Sequence, residues 1–147
     1  MKEYDRQAEA LLEAPCHIVD FLPQTVSEDA PGQYFAVERY WLESGRHGAL
    51  AERFAGIILK LMCYDRAVID WDGWMERPDP ALIDCIIAKI AKKRTGTLNC
   101  LFPDENALLV LDGDSLNLAV YNPNGRMRAL LAALAQSEGL FWRPAAF

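Results

Sequence analysis

Apolar residues recur along this chain with two different periods, and each period predicts a different kind of element. Across residues 46–62 the apolar positions repeat every three to four residues, which is typical of one face of an amphipathic helix. Across residues 107–121, two apolar runs flank Asp112-Gly113-Asp114-Ser115, which is typical of a β-hairpin turn. We expect Gly113 to supply a positive φ there, because glycine has no Cβ to clash. The chain is therefore predicted to combine helices with a sheet.

Start and stop signals predict three further helices. An amphipathic helix spans residues 2–14, before a proline that cannot continue it. Another begins at Asp79-Pro80, where aspartate can cap free amides and proline occupies the first helical position. The same reasoning starts the last helix at Asn122-Pro123 and ends it at Gly139.

Runs of β-branched and aromatic residues between turn signals predict the strands. Three of them form a meander in the C-terminal half, beginning at residue 97 and turning at residues 103–106 and 112–115. The other segments predicted as strands are 17–22, 33–42, 64–72 and 140–143. Residues 74–78, between a glycine turn and the Asp79-Pro80 helix start, are predicted to be irregular.

The segment 33–42 fits two periods. A strand places Phe35, Val37 and Trp41 on one face, whereas a helix groups Tyr34, Val37 and Trp41. Its aromatic content favours the strand, and we predict a strand here.

The resulting order, α-β-β-α-β-α-β-β-β-α-β, predicts an α+β fold. We expect one domain over residues 1–147, with 1–14 as a helical arm, because this length is typical of a single domain and no repeat or flexible linker divides it. The sheet is expected to be antiparallel or mixed. About three main helices are expected to pack mainly on one of its faces.

The charge and hydropathy of the chain limit the classes of partner that we expect. The chain has 21 acidic and 15 basic residues, a formal charge of −6, which repels nucleic-acid phosphates. No apolar run approaches the roughly 18–20 residues that cross a bilayer, so no membrane partner is expected. The N-terminus carries both charge signs and precedes no apolar signal core, which favours a cytoplasmic location. The four cysteines form no CxxC pair and are read as reduced thiols.

Reactive residues do not combine at a spacing diagnostic of a reaction. The chain has two histidines, and its serines lack a nucleophile elbow or a phosphate-binding glycine loop. We therefore assign no catalytic residue, no metal ligand and no cofactor from the sequence. The absence of a complete reactive set favours a protein that is not an enzyme.

One acidic motif supports an alternative. If Asp70-Trp71-Asp72 ends a strand, its two carboxylates lie on one face, where they could hold a divalent cation or a small ligand. Trp71 or Trp74 could then supply an aromatic wall. The alternative function is thus a small-ligand-binding domain or a carboxylate- or metal-dependent enzyme.

The aromatic residues support the leading interpretation. Tryptophan and tyrosine are favoured anchors at protein interfaces, and Trp41, Trp71 and Trp74 would define a binding surface if they converge. We predict a non-catalytic protein-interaction or regulatory module whose partner is a protein, with a basic partner suiting the net charge. An immunity or antitoxin-like role fits this size and charge. Homodimerisation through the meander edge or the aromatic patch is a further possibility.

Overall fold

A computed structural model describes residues 2–145 as five helices around a seven-stranded sheet. The helices are α1 (Lys2–Leu11), α2 (Tyr34–Glu43), α3 (Gly45–Leu61), α4 (Pro80–Lys93) and α5 (Gly125–Ser137). The strands are β1 (Cys16–Asp20), β2 (Val68–Asp70), β3 (Trp74–Glu76), β4 (Thr97–Phe102), β5 (Ala107–Asp112), β6 (Asn117–Tyr121) and β7 (Phe141–Pro144). No helix in this part of the chain is both long and apolar enough to cross a membrane.

All neighbouring strands pair antiparallel, in the order β3-β2-β4-β5-β6-β1-β7. The predicted α+β class and the predicted β4-β5-β6 meander are confirmed. The meander lies inside the sheet, because β2 pairs with β4 and β1 pairs with β6. Neither edge of the meander is therefore free to pair with a second copy of the chain, and homodimerisation itself stays a prediction.

Side chains alternate between two faces of the sheet, and each face has its own cover. Ile69, Cys100 and Leu109 face the main core, which α3, α4 and α5 complete with buried side chains. Their neighbours in sequence, Val68, Leu101 and Leu108, face the other way and pack with Leu11 of α1. This alternation follows from the period of two in a strand. Three helices thus cover one face and the N-terminal arm covers part of the other.

Segment 33–42 is helix α2, so the predicted strand is wrong. Its half-buried side chains are Tyr34, Glu38, Trp41 and Leu42, which recur at helical spacing. The aromatic content misled the prediction, because strand propensity is largely a preference for packing against neighbours and the neighbours here belong to a helix layer.

Several boundaries also differ from the predictions. The N-terminal helix ends at Leu11 and not at residue 14, and the first strand is Cys16–Asp20 and not 17–22. Residues 74–76, predicted to be irregular, form β3, which pairs with β2 across a turn containing Asp72 and Gly73. The strand predicted at 64–72 is confined to Val68–Asp70. The last helix begins at Gly125, and its cap is Asn124, whose side chain accepts from the Met127 amide at 2.8 Å. Asn122-Pro123 precedes it and does not start it.

Gly113 lies in the β5-β6 turn as predicted, but the reason that glycine is required there differs from the predicted one. Among the described residues the glycines with positive φ are Gly73, Gly96 and Gly139, so a positive φ at Gly113 is wrong. A Cβ on Gly113 would lie 2.5 Å from the Ile90 carbonyl oxygen and 2.8 Å from backbone atoms of Thr95. Glycine is needed because the turn sits directly on the backbone at the end of α4.

Replacement of Gly113 by alanine should be strongly destabilising. Gly113→Ala forces backbone atoms apart, and we expect the free energy of unfolding to fall by about 3 kcal/mol, the upper part of the range for overpacking. Gly48→Ala is the matched control, because a Cβ there meets nothing within 4 Å. It should raise stability by up to about 1 kcal/mol through helix propensity. Urea unfolding measures both, and equal stability of the two variants would contradict the close seating of the turn.

Candidate interaction surface

Ser44 makes a sharp corner between α2 and α3. Its backbone is extended, its hydroxyl accepts from the Arg46 amide at 3.3 Å, and it donates to the Trp41 carbonyl at 3.3 Å. One serine therefore caps the start of α3 and holds the end of α2. The corner turns α2 away from the line of α3 and leaves only one of its sides against the core.

The inner side of α2 is well anchored. Trp41 packs against Phe21 with ring centroids 4.9 Å apart, and Leu42 also contacts the main core. At the first turn, the Tyr34 hydroxyl donates to the Glu38 carboxylate at 3.1 Å. The hydrogen bond lies within α2, whereas the packing of Trp41 and Leu42 fixes the orientation of the helix against the core, so its outer side is presented in one arrangement.

The outer side of α2 carries large apolar side chains without cover. Phe35 is 77% exposed, Tyr40 63% and Val37 43%, and no residue of this helix is fully buried. At 100° per residue, Phe35 projects on one flank, and Val37 and Tyr40 project on the other. We call these three residues the α2 outer face. Single exposed apolar residues are ordinary, but three within two turns, on the two flanks of a helix that buries none of its residues, are a concentration of exposed apolar surface.

A groove of about 480 Å³ lies beside this helix, between α3 and α4. Small residues line much of it: Gly45, Gly48, Ala51, Ala55, Ala88 and Ala91. Its charged residues have both signs: Glu43, Glu52, Asp84, Lys92 and Arg94. Leu42, Glu43 and Arg94 also line a second depression, which reaches Phe35. The groove is therefore continuous with one flank of the α2 outer face.

His47 lies at the floor of this groove and has a structural role. It is 5% exposed, and its Nε2 donates to the Gly113 carbonyl at 2.6 Å. Its Nδ1 has no hydrogen-bond partner among the described residues. The bond joins the first turn of α3 to the β5-β6 hairpin.

The three tryptophans predicted as candidate binding residues do not meet. Trp41 and Trp71 pack against the main core, whereas Trp74 packs with Tyr4 of α1 on the other face of the sheet. The Trp74 indole donates to Asp5 at 2.7 Å. Trp41 contacts Phe21, next to β1, and Trp71 follows β2, with three strands between them. A shared aromatic surface is therefore absent for these residues.

The two carboxylates of the acidic motif are also separated in orientation. Asp70 ends β2, half-buried opposite Trp74, while Asp72 lies in the following turn with a left-handed backbone, φ 55°, and is exposed. The turn interrupts the strand alternation on which the predicted pairing depended. Within residues 2–145, no three His, Cys, Asp or Glu side chains are placed to hold a metal ion. A ligand role for Asp70 and Asp72 stays a prediction.

The sequence does not predict Phe35 as a surface residue when segment 33–42 is placed in the sheet, where it shares a face with Val37 and Trp41. The helical spacing of Tyr34, Trp41 and Leu42 was the signal that could have found it. The chain matches no protein-family model, no curated protein and no solved structure. Function is therefore inferred from the geometry of this surface.

The environment of Tyr34 in α2 predicts a pH-dependent stability. Burial, and then the hydrogen bond to Glu38, raise the pKa of Tyr34 from 10.0 to about 12. Between these values the unfolded chain loses this proton and the folded chain keeps it, so stability falls as pH rises. Between about pH 8 and about pH 11, wild type should lose more unfolding free energy than Tyr34→Phe, as measured in urea. Parallel losses in the two proteins would contradict the assignment.

Proposed function

We propose that this protein is a non-catalytic protein-interaction module that binds its partner through the α2 outer face. The observation that carries the proposal is the exposure of Phe35, Val37 and Tyr40 on a helix that is firmly held on its inner side. Exposed aromatic side chains bury large areas when a partner covers them. They lose little conformational entropy on binding, because each has only two χ angles. A fixed helix also avoids the ordering cost that a flexible segment pays on binding.

The charge of the chain supports a basic partner. A formal charge of −6 attracts positively charged proteins and raises their association rate, an effect that acts over a Debye length of about 8 Å at physiological salt. We propose a cytoplasmic partner whose surface has a cavity for Phe35 or Tyr40 inside a positive rim. An immunity or antitoxin-like inhibitor of a basic protein is one form of this function.

Site-specific photo-crosslinking in the native cell tests the proposal. A photoreactive phenylalanine analogue at Tyr40 should capture a saturable protein partner. The matched control is the same analogue at Tyr64, which is 65% exposed compared with 63% for Tyr40 but lies beyond the end of α3. The analogue at position 64 should capture no such partner.

The captured protein is then purified, and its Kd is measured by calorimetry. Phe35→Ser and Tyr40→Ser should each weaken binding by about tenfold or more, the loss expected from an interface hot spot, while their melting temperatures stay at the wild-type value. Equal capture from positions 40 and 64, or an unchanged Kd in both variants, would remove α2 as the binding element.

A further inference from the structure

Trp41, on the inner side of α2, lines a cleft that contains none of the residues of the α2 outer face. The cleft has a volume of about 280 Å³ and lies between the end of α2, one side of α3 and the residues before β7. Phe21, Trp41, Leu50 and Leu140 form its apolar walls. Its size is close to the lower limit of about 300 Å³ for pockets that hold small organic molecules.

Two guanidinium groups line the same cleft. Arg46 and Arg53 are seven residues apart on α3, two turns of helix, and therefore project on the same side. Arg46 lies over the Trp41 ring, 5.2 Å from its centroid, and Arg53 donates one N–H to the Glu138 carbonyl at 3.2 Å. Each guanidinium has five N–H donors, so both retain donors for a ligand.

No carboxylate balances these two charges within the cleft, since none of its lining residues is acidic. The carboxylate of Glu138 is directed to Lys60, at 2.9 Å. A chain with a formal charge of −6 thus has a locally positive cleft. A local concentration of positive charge in a protein with a negative net charge favours a ligand that carries negative charge.

The indole nitrogen of Trp41 is an independent indication of a ligand. Its N–H is buried and has no hydrogen-bond acceptor among the described residues. A buried donor without a partner costs about 1–3 kcal/mol, and native structures rarely leave one unexplained. An acceptor oxygen of a ligand in the cleft can satisfy it with a small local shift, and Arg46, which lies over the same ring, is the nearer of the two guanidinium groups.

We propose that this cleft binds a carboxylate attached to an apolar or aromatic body. One guanidinium recognises a carboxylate through two parallel N–H donors, so Arg46 or Arg53 can supply that geometry, and the second arginine adds positive charge. The walls formed by Phe21 and Leu140 hold the apolar part. The same chemistry is offered by a free organic acid and by the C-terminal carboxylate of a peptide, and the experiment separates these sources.

The test observes the indole N–H resonances of the ¹⁵N-labelled full chain, with the Trp41 signal assigned by its loss in Trp41→Phe. The probes are 3-phenylpropionate, its neutral amide, inorganic phosphate, and a short peptide ending in phenylalanine with a free or an amidated C-terminus. We expect 3-phenylpropionate to shift the Trp41 resonance saturably. The amide and phosphate should bind at least about tenfold more weakly, because each lacks one half of the recognised chemistry.

Arginine variants supply the matched controls. Arg46→Gln and Arg53→Gln should each weaken 3-phenylpropionate binding by about tenfold, and Arg39→Gln on the outside of α2 should leave it unchanged. Because Arg53 also contacts Glu138, the melting temperatures of the variants are compared. The Arg46 side chain makes no hydrogen bond within residues 2–145, so Arg46→Gln keeps the test valid if Arg53→Gln destabilises the fold.

The outcomes distinguish a free organic acid from a peptide C-terminus as the ligand. They also distinguish failure of this proposal from failure of the proposed function of the α2 outer face. Binding of the free-acid peptide as tightly as 3-phenylpropionate identifies a chain terminus as the ligand, and much weaker peptide binding identifies a small organic acid. No shift with either acid, or equal affinity for acid and amide, overturns the proposal. That result leaves the crosslinking test at Tyr40 unaffected, because Tyr40 does not line the cleft.

Discussion

The seating of the β5-β6 turn on the end of α4 is the constraint on which the rest of the structure depends. Gly113 approaches the backbone of Ile90 and Thr95 too closely for any side chain, and its carbonyl accepts from His47 of α3. One residue of the central hairpin therefore positions both large helices relative to the sheet. Overpacking such a contact costs more than most surface changes, because backbone atoms cannot rotate away as side chains can.

The position of α2 follows from that contact. His47 places the first turn of α3, Ser44 forms the corner before it, and Trp41 packs on Phe21 beyond the corner. The helix is held on one side and open on the other. Its outer face leaves large apolar side chains exposed, and its inner side contributes Trp41 to a positive cleft. Two surfaces of different chemistry thus arise from one short helix.

The two surfaces also carry opposite electrostatic preferences. The whole chain has a formal charge of −6, which favours a basic partner in the proposed function, whereas the cleft beside Trp41 is lined by Arg46 and Arg53. Screening of charges by salt explains how two opposite electrostatic preferences can coexist in one small molecule. Net charge acts on an approaching protein as a sum, while a ligand inside the cleft interacts mainly with the two nearby guanidinium groups.

The sequence by itself determined the α+β class, the buried stripe of α3, the capped start of α4 at Asp79 and the central meander, because each of these has a local signal of period, cap or turn. It could not determine α2, because a short aromatic segment satisfies both periods and only its neighbours select one. It could not determine the role of Gly113 or the cleft at Trp41 either. Both depend on residues that are distant in the chain and meet only when the helices pack on the sheet.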